Sequence, residues 1–300
     1  MNKFSTAGLT ALAFTVLFLA PGCSDSPAGP NGANGKPTGI LYLTGNIRAN
    51  ALSIDLSNGT VTNMFVGADP FRTPEGTFIA HAFEGLIEVS ANGATKRIIV
   101  AEDINFPNVE TFDDAFANPQ LSPDGQYIVY EGTFGSTLDI HVVDRATGDL
   151  LVTFATTETG QGYSSPTWTP DGRIVMCGGV FNPGLYITDV NWTTLTRFDD
   201  NLSNPKQPAV SPDGKLIALI IANHLFTMSI DGSNVKQLTT SASAESYPSW
   251  SPDGKSIAVK ITASILFIPV NGGSAYDLRT INSTFNQFSA IDGAGQMQWK

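Results

Sequence analysis

Few side chains in this sequence could do chemistry. The three histidines are His81, His141 and His224. A metal would need them to converge within a few ångströms. They fall on different repeats instead: His81 in a second strand, His141 in a third, His224 just before a third. They read as separate strand and loop residues. Acidic residues recur before glycine at corners of the chain: Glu75, Asp124, Asp171, Asp213, Asp253 and Asp292. Calcium wants a crowded oxygen shell. Asp-x-Asp clustering is absent, and the pairs Asp113-Asp114 and Asp199-Asp200 stand apart, so these acids read as solvated loop residues. The sequence has no G-x-S-x-G elbow, Gly-rich phosphate loop, HExxH or CxxC. The reading is no catalytic residue, no metal and no cofactor.

The corners themselves are structural. In Ser251-Pro252-Asp253-Gly254, proline pre-sets φ at the first corner position. The aspartate can bond its own backbone two residues on, and glycine takes positive φ. The same signature reads TPEG at 73–76, SPDG at 122–125, TPDG at 169–172 and SPDG at 211–214, with a degenerate AIDG at 290–293. The acidic positions are 49, 47, 42, 40 and 39 residues apart. Each corner is followed by an apolar run, a second run, and a polar turn such as Asp231-Gly232 or Asn271-Gly272. Four strands at a period of roughly 40–50 residues predict a propeller blade. Pro70, Pro119, Pro166, Pro208 and Pro248 each lie three residues before the Ser or Thr of the corner. Proline cannot donate to a sheet ladder, which suits an innermost strand with one free edge.

The predicted fold is therefore all-β: a six-bladed β-propeller of four-stranded antiparallel blades, closed by N- and C-terminal strands. Residues 40–66 look like a blade that lacks its first strand, and Asn286–Gly293 carries a first strand and corner without a blade to follow. Joining the two ends removes two sheet edges. Ile40–Leu43 and Ala294–Lys300 both fit the second strand of that closing blade, and the residues do not choose between them. Asp69, Asn118, Ser165, Gln207 and Tyr247 directly precede the first prolines, so a closed ring brings them to one channel mouth as candidate partner-binding residues. Trp168 and Trp250 align with Leu121 and Val210, which marks them as packing between blades.

A net charge of −11 argues against nucleic acid and against anionic lipid surfaces. Residues 1–22 read as an export signal, with Lys3 before an apolar stretch that ends at Pro21-Gly22. Cys23 follows as in a lipobox, the expected lipidation site. Residues 23–39 form a flexible tether, and 40–300 the propeller. Cys177, inside the apolar run Ile174–Val180, reads as a small buried hydrophobe.

The string P-x-[apolar]-[Ser/Thr]-P-D-G, its Ile-Ala strand and a strand like LFTMSIDGSNVKQLT resemble the repeats of the TolB β-propeller family over residues 40–300. The resemblance implies a periplasmic six-bladed propeller that binds a lipoprotein partner. In that family an α/β domain precedes the propeller, where this sequence has only its tether. Similar repeats occur in propellers attached to serine peptidases and in a pectin-degrading lyase with a His-rich metal site. The expected protein is a monomeric, non-catalytic cell-envelope lipoprotein that binds a protein or glycan. It would face the periplasm or the cell surface and touch the membrane through its lipid alone. The alternatives are a carbohydrate-active lyase or hydrolase and a structural subunit of an envelope complex.

Overall fold

The computed structural model describes residues 36–45, 50–101, 116–134, 137–155, 162–179, 183–198, 202–262, 264–281 and 295–300. The expected signal peptide, Cys23, most of the tether, Asn286–Gly293 and Asp292 lie outside them.

The described residues form six four-stranded antiparallel sheets. Blade 1 holds β1 (Ile40–Thr44), β2 (Asn50–Asp55) and β3 (Thr60–Val66). Blade 2 holds β4 (Ala68–Arg72), β5 (Phe78–Ala82), β6 (Gly85–Val89) and β7 (Lys96–Ala101). Blade 3 holds β8 (Phe116–Leu121), β9 (Tyr127–Phe134), β10 (Thr137–Asp144) and β11 (Leu150–Phe154). Blade 4 holds β12 (Ser164–Trp168), β13 (Ile174–Cys177), β14 (Leu185–Thr188) and β15 (Leu195–Arg197). Blade 5 holds β16 (Lys206–Val210), β17 (Leu216–Ile221), β18 (His224–Ser229) and β19 (Lys236–Gln237). Blade 6 holds β20 (Ser246–Trp250), β21 (Ser256–Ile261), β22 (Ser264–Pro269) and β23 (Tyr276–Asp277). The last strand, β24 (Gln298–Trp299), returns to blade 1, whose order is β24-β1-β2-β3.

Ring closure is thus between the chain ends, and the register decides what the residues left open. Leu41 pairs with Trp299 and Tyr42 with Gln298, so Ile40–Thr44 is the second strand and the C-terminal residues are the innermost one. The innermost strand falls at Gln298–Trp299, beyond the 286–293 segment expected for it. The physical reason is Trp299. It takes the place that Trp250 takes in blade 6, buries against Phe267 at 5.1 Å between ring centroids, and donates from Nε1 to Thr38 O at 2.8 Å. Burying such a ring contributes ~2–3 kcal/mol.

Packing lies between blades. The described residues form six apolar clusters, and each joins one pair of neighbouring blades. Trp168 and Trp250 are buried in two of them and donate to Gln120 O and Ala209 O, on the innermost strand of the blade before. Cys177 is buried in the cluster between blades 4 and 5.

The corners show the expected chemistry in detail. Ser122, Thr169, Ser211 and Ser251 donate from their hydroxyls to Asp124, Asp171, Asp213 and Asp253 at 2.5–2.7 Å. The backbone N–H two residues on donates to the same oxygen of Asp124, Asp213 and Asp253. Glu75 keeps the hydrogen bond with Thr73, and its longer, exposed side chain also meets Arg145 at 3.3 Å.

Candidate functional site

Each innermost strand from β4 to β20 slips register just before its proline, between Ala68 and Phe71, Ala117 and Gln120, Ser164 and Thr167, Lys206 and Ala209, and Ser246 and Ser249. The slip is a β-bulge. Its residue is Asp69, Asn118, Ser165, Gln207 or Tyr247, with φ of 50°, 51°, 53°, 52° and 51°. Left-handed backbone is costly outside glycine, tolerable for Asp and Asn, and unusual before proline. Its repetition at five equivalent positions is a built feature that re-aims five side chains.

What holds the strained backbone is a relay of side-chain oxygens from neighbouring blades. Asp69 N donates to Thr44 Oγ1 of blade 1 at 2.7 Å. Asn118 N donates to Asp69 Oδ2 at 3.1 Å, and Ser165 N to Glu131 Oε1 at 2.5 Å. Tyr247 N donates to Gln207 Oε1 at 2.8 Å. A second link between blades 1 and 2 comes from the C-terminal segment, where Gln296 N donates to Asp69 Oδ1 at 3.2 Å. Gly295 lets this happen, because a Cβ there would stand 1.9 Å from Asp69 Oδ1.

All five bulge residues line one cavity of ≈ 380 Å³ that runs along the innermost strands. Gln296 completes the rim. The five residues proposed from register are therefore brought together. Asp69 lies opposite Gln207 across the six blades, and Asn118 opposite Tyr247. The far end of the cavity carries Lys300, whose ammonium lies 5.8 Å from the Phe71 ring centroid.

Two buried carboxylates stand on one side of the rim. Asp69 is 8% exposed and Glu131, on β9 behind Asn118, is 6% exposed. Asn118 joins them, its N–H on Asp69 and its Nδ2 donating to Glu131 Oε1 at 2.6 Å. Burial pushes the Glu131 carboxyl up to about 7; the bonds from Asn118 and Ser165 pull it back, and the Asp69 charge adds to the rise. Burial likewise raises Asp69, against the donors Asn118, Thr44 and Gln296 and the charge of Lys260. The Tyr247 hydroxyl is raised by burial first and then by the charge of Asp69, with a smaller push from Glu131, so the three groups share one electrostatic space.

Glu131 and Gln296 are functional candidates that motif reading passes over. The available signal was positional. Opposite the residue before each bulge stand His81, Glu131, Cys177, Ile220 and Lys260, so Glu131 puts an acid where blades 4 and 5 are apolar. The histidines do not converge: they lie on β5, β10 and β18 of three different blades. His141 is buried, with Nδ1 3.0 Å from Thr153 Oγ1. Among the described residues no group of three or more His, Cys, Asp or Glu side chains could hold a metal ion.

A family model described as the TolB beta propeller domain matches residues 89–289. The chain belongs to the TolB β-propeller family. Among solved structures, this TolB-type propeller superposes on TolB from Acinetobacter baumannii with a TM-score of 0.62 at 18% identity, over 88% of this chain and 68% of that one. A putative TolB from Agrobacterium tumefaciens gives 0.59 at 18% identity, over 80% and 87%. An oligogalacturonate lyase in complex with manganese gives 0.53 at 12% identity, over 79% and 73%. These likenesses show the fold. A search of curated protein sequences gives no match.

Proposed function

We propose that this TolB-type propeller is a non-catalytic binding protein of the cell envelope, exported by residues 1–22 and held by a lipid on Cys23. Residues 23–39 leash the propeller of 40–300, which takes a protein partner at the channel mouth. One observation carries the reading: five strained bulge residues from five blades line one cavity. Strain kept at equivalent places is characteristic of binding and switch regions, where the surrounding structure over-determines it. Channel mouths of closed β structures are also a usual place for a ligand. The periplasmic setting implied by the TolB resemblance fits the expected signal and lipobox.

The test is crosslinking in intact cells, followed by identification of what co-purifies. The same is done with the double variant Gln207→Ala, Tyr247→Ala. The expected result is a specific envelope protein captured by the natural chain and lost by the variant. Unchanged capture by the variant removes the mouth from the interaction.

A further inference from the structure

Hydrogen-bond bookkeeping at the mouth is one-sided. The backbone N–H groups of Asp69, Asn118, Ser165, Tyr247 and Gln296 are all taken by side-chain oxygens. What remains on the acidic side is acceptor capacity. Glu131 receives both of its bonds on Oε1, and its Oε2 accepts none among the described residues. Asn118 Oδ1 is buried and has no partner among the described residues. Asp69 accepts three bonds where a carboxylate has room for about four. Buried acceptors without donors cost free energy until something supplies a donor. Asp69 already feels the charge of Lys260, whereas among the described residues no cation acts on Glu131, and a carboxylate left without one favours a donor that is also a cation. Tyr247 lines the same cavity, with its hydroxyl in the field of Asp69.

We propose that this sector of the mouth takes a cationic side chain, a lysine ammonium or arginine guanidinium, carried on an extended segment of the protein partner. The proposal rests on the reading of the mouth as the binding site. It names the chemistry that site selects: donors and positive charge toward Asp69 and Asn118, which line the cavity, with the Glu131 carboxylate directly behind Asn118, and an apolar wall of Pro208, Pro248 and Met297 for the aliphatic stem. The cavity is large enough for one such side chain and its neighbours, at the small end of ordinary ligand sites.

The probes are peptides of the form acetyl-Gly-Gly-Xaa-Gly-Gly-amide, with Xaa lysine, norleucine or glutamate, and trigalacturonate as a sugar, each titrated calorimetrically into the full chain. The lysine peptide should bind roughly tenfold or more tightly than the norleucine peptide at pH 8, the difference a charged hydrogen bond makes. The glutamate peptide and trigalacturonate should be weakest. Glu131→Gln is the decisive variant, because an amide oxygen keeps both bonds now accepted by Oε1 while the charge goes. It should lower the lysine-to-norleucine ratio several-fold. It should also abolish the fall of that ratio as pH drops through about 7, where Glu131 takes up its proton. The other charged and titratable groups around Glu131 are Asp69 and Tyr247 at the rim, Lys260 near Asp69, and Asp139 and His141 flanking Ile140, its partner on β10. Asp69→Asn should lower the ratio as well. Equal binding of lysine and norleucine peptides, no measurable binding of the lysine peptide, or tighter binding of trigalacturonate overturns the proposal. If the Gln207, Tyr247 variant still loses its envelope partner in that event, the mouth reading stands and only the cation is wrong.

Discussion

Two glutamates in adjoining blades meet opposite fates. Glu88, on β6, sits in the crevice between blades 2 and 3 with its side chain 14% exposed. Glu131, on β9, is 6% exposed beneath the channel mouth. Burial alone would raise both. Glu88 faces Arg145 at 2.6 Å and Arg97 at 2.8 Å and accepts from Thr77, and these hold its carboxyl down at about 2. Among the described residues Glu131 has only amide donors and a second carboxylate nearby, and it rises to about 7. A carboxylate whose charge is matched is serving the blade contact. One left unmatched behind the channel mouth is the group on which the proposed cation recognition rests.

The sharpest way to break the mouth side of this contrast is Gly295→Ala. Its φ of 130° is glycine territory, and the added Cβ would collide with Asp69 Oδ1. The expected loss is about 3 kcal/mol or more of stability, with the C-terminal strand the first part to open. Urea unfolding and amide exchange at Gln298 and Trp299 check it; protection there equal to the natural chain would show that the Asp69 clasp does not hold the ring.

Arg145→Ala attacks the matched side. It leaves Glu88 with Arg97 alone, and Arg97 is 44% exposed. The loss should be roughly 2 kcal/mol at neutral pH, and less at pH 2, where Glu88 is half protonated already. Urea midpoints at the two pH values decide it.

Glu131→Gln sharpens the contrast by gaining stability. A carboxyl whose folded pKa is raised binds its proton more tightly folded than unfolded. Its contribution is therefore full below the ordinary glutamate value of 4.5 and falls away as pH rises to about 7. Glu88 has the reverse sign: its contribution is present above 4.5 and is lost as pH falls toward about 2. At pH 8 the glutamine variant should be about 3 kcal/mol more stable than the natural chain, and near pH 4 the two should coincide. A variant less stable at pH 8 would mean that the Glu131 charge is matched after all.

Much of the fold was readable from one feature. A Ser/Thr-Pro-Asp-Gly corner, because its turn chemistry is local, announces itself in the sequence, and its spacing counts blades. The prolines before it marked the innermost strands for an equally local reason, the missing N–H. From these, Asp69, Asn118, Ser165, Gln207 and Tyr247 could be named as neighbours that share no sequence proximity. The left-handed bulge could not. Asp69 and Asn118 tolerate that backbone, but Ser165, Gln207 and Tyr247 give no sign of it, and a following proline argues the other way. Glu131 and Gln296 were also hidden, because each acts on a residue of another blade.

Local chain chemistry, then, settled where this protein turns, how many sheets it builds and which strand of each faces the axis, since a corner or a proline acts through its own backbone. Which terminal segment completes the first blade, how the bulge amides are satisfied, and which acid keeps an unmatched charge were decided only by assembly. Those outcomes depend on atoms brought within hydrogen-bonding distance by closing the ring, as when Gln296 N reaches Asp69 across 227 positions of sequence.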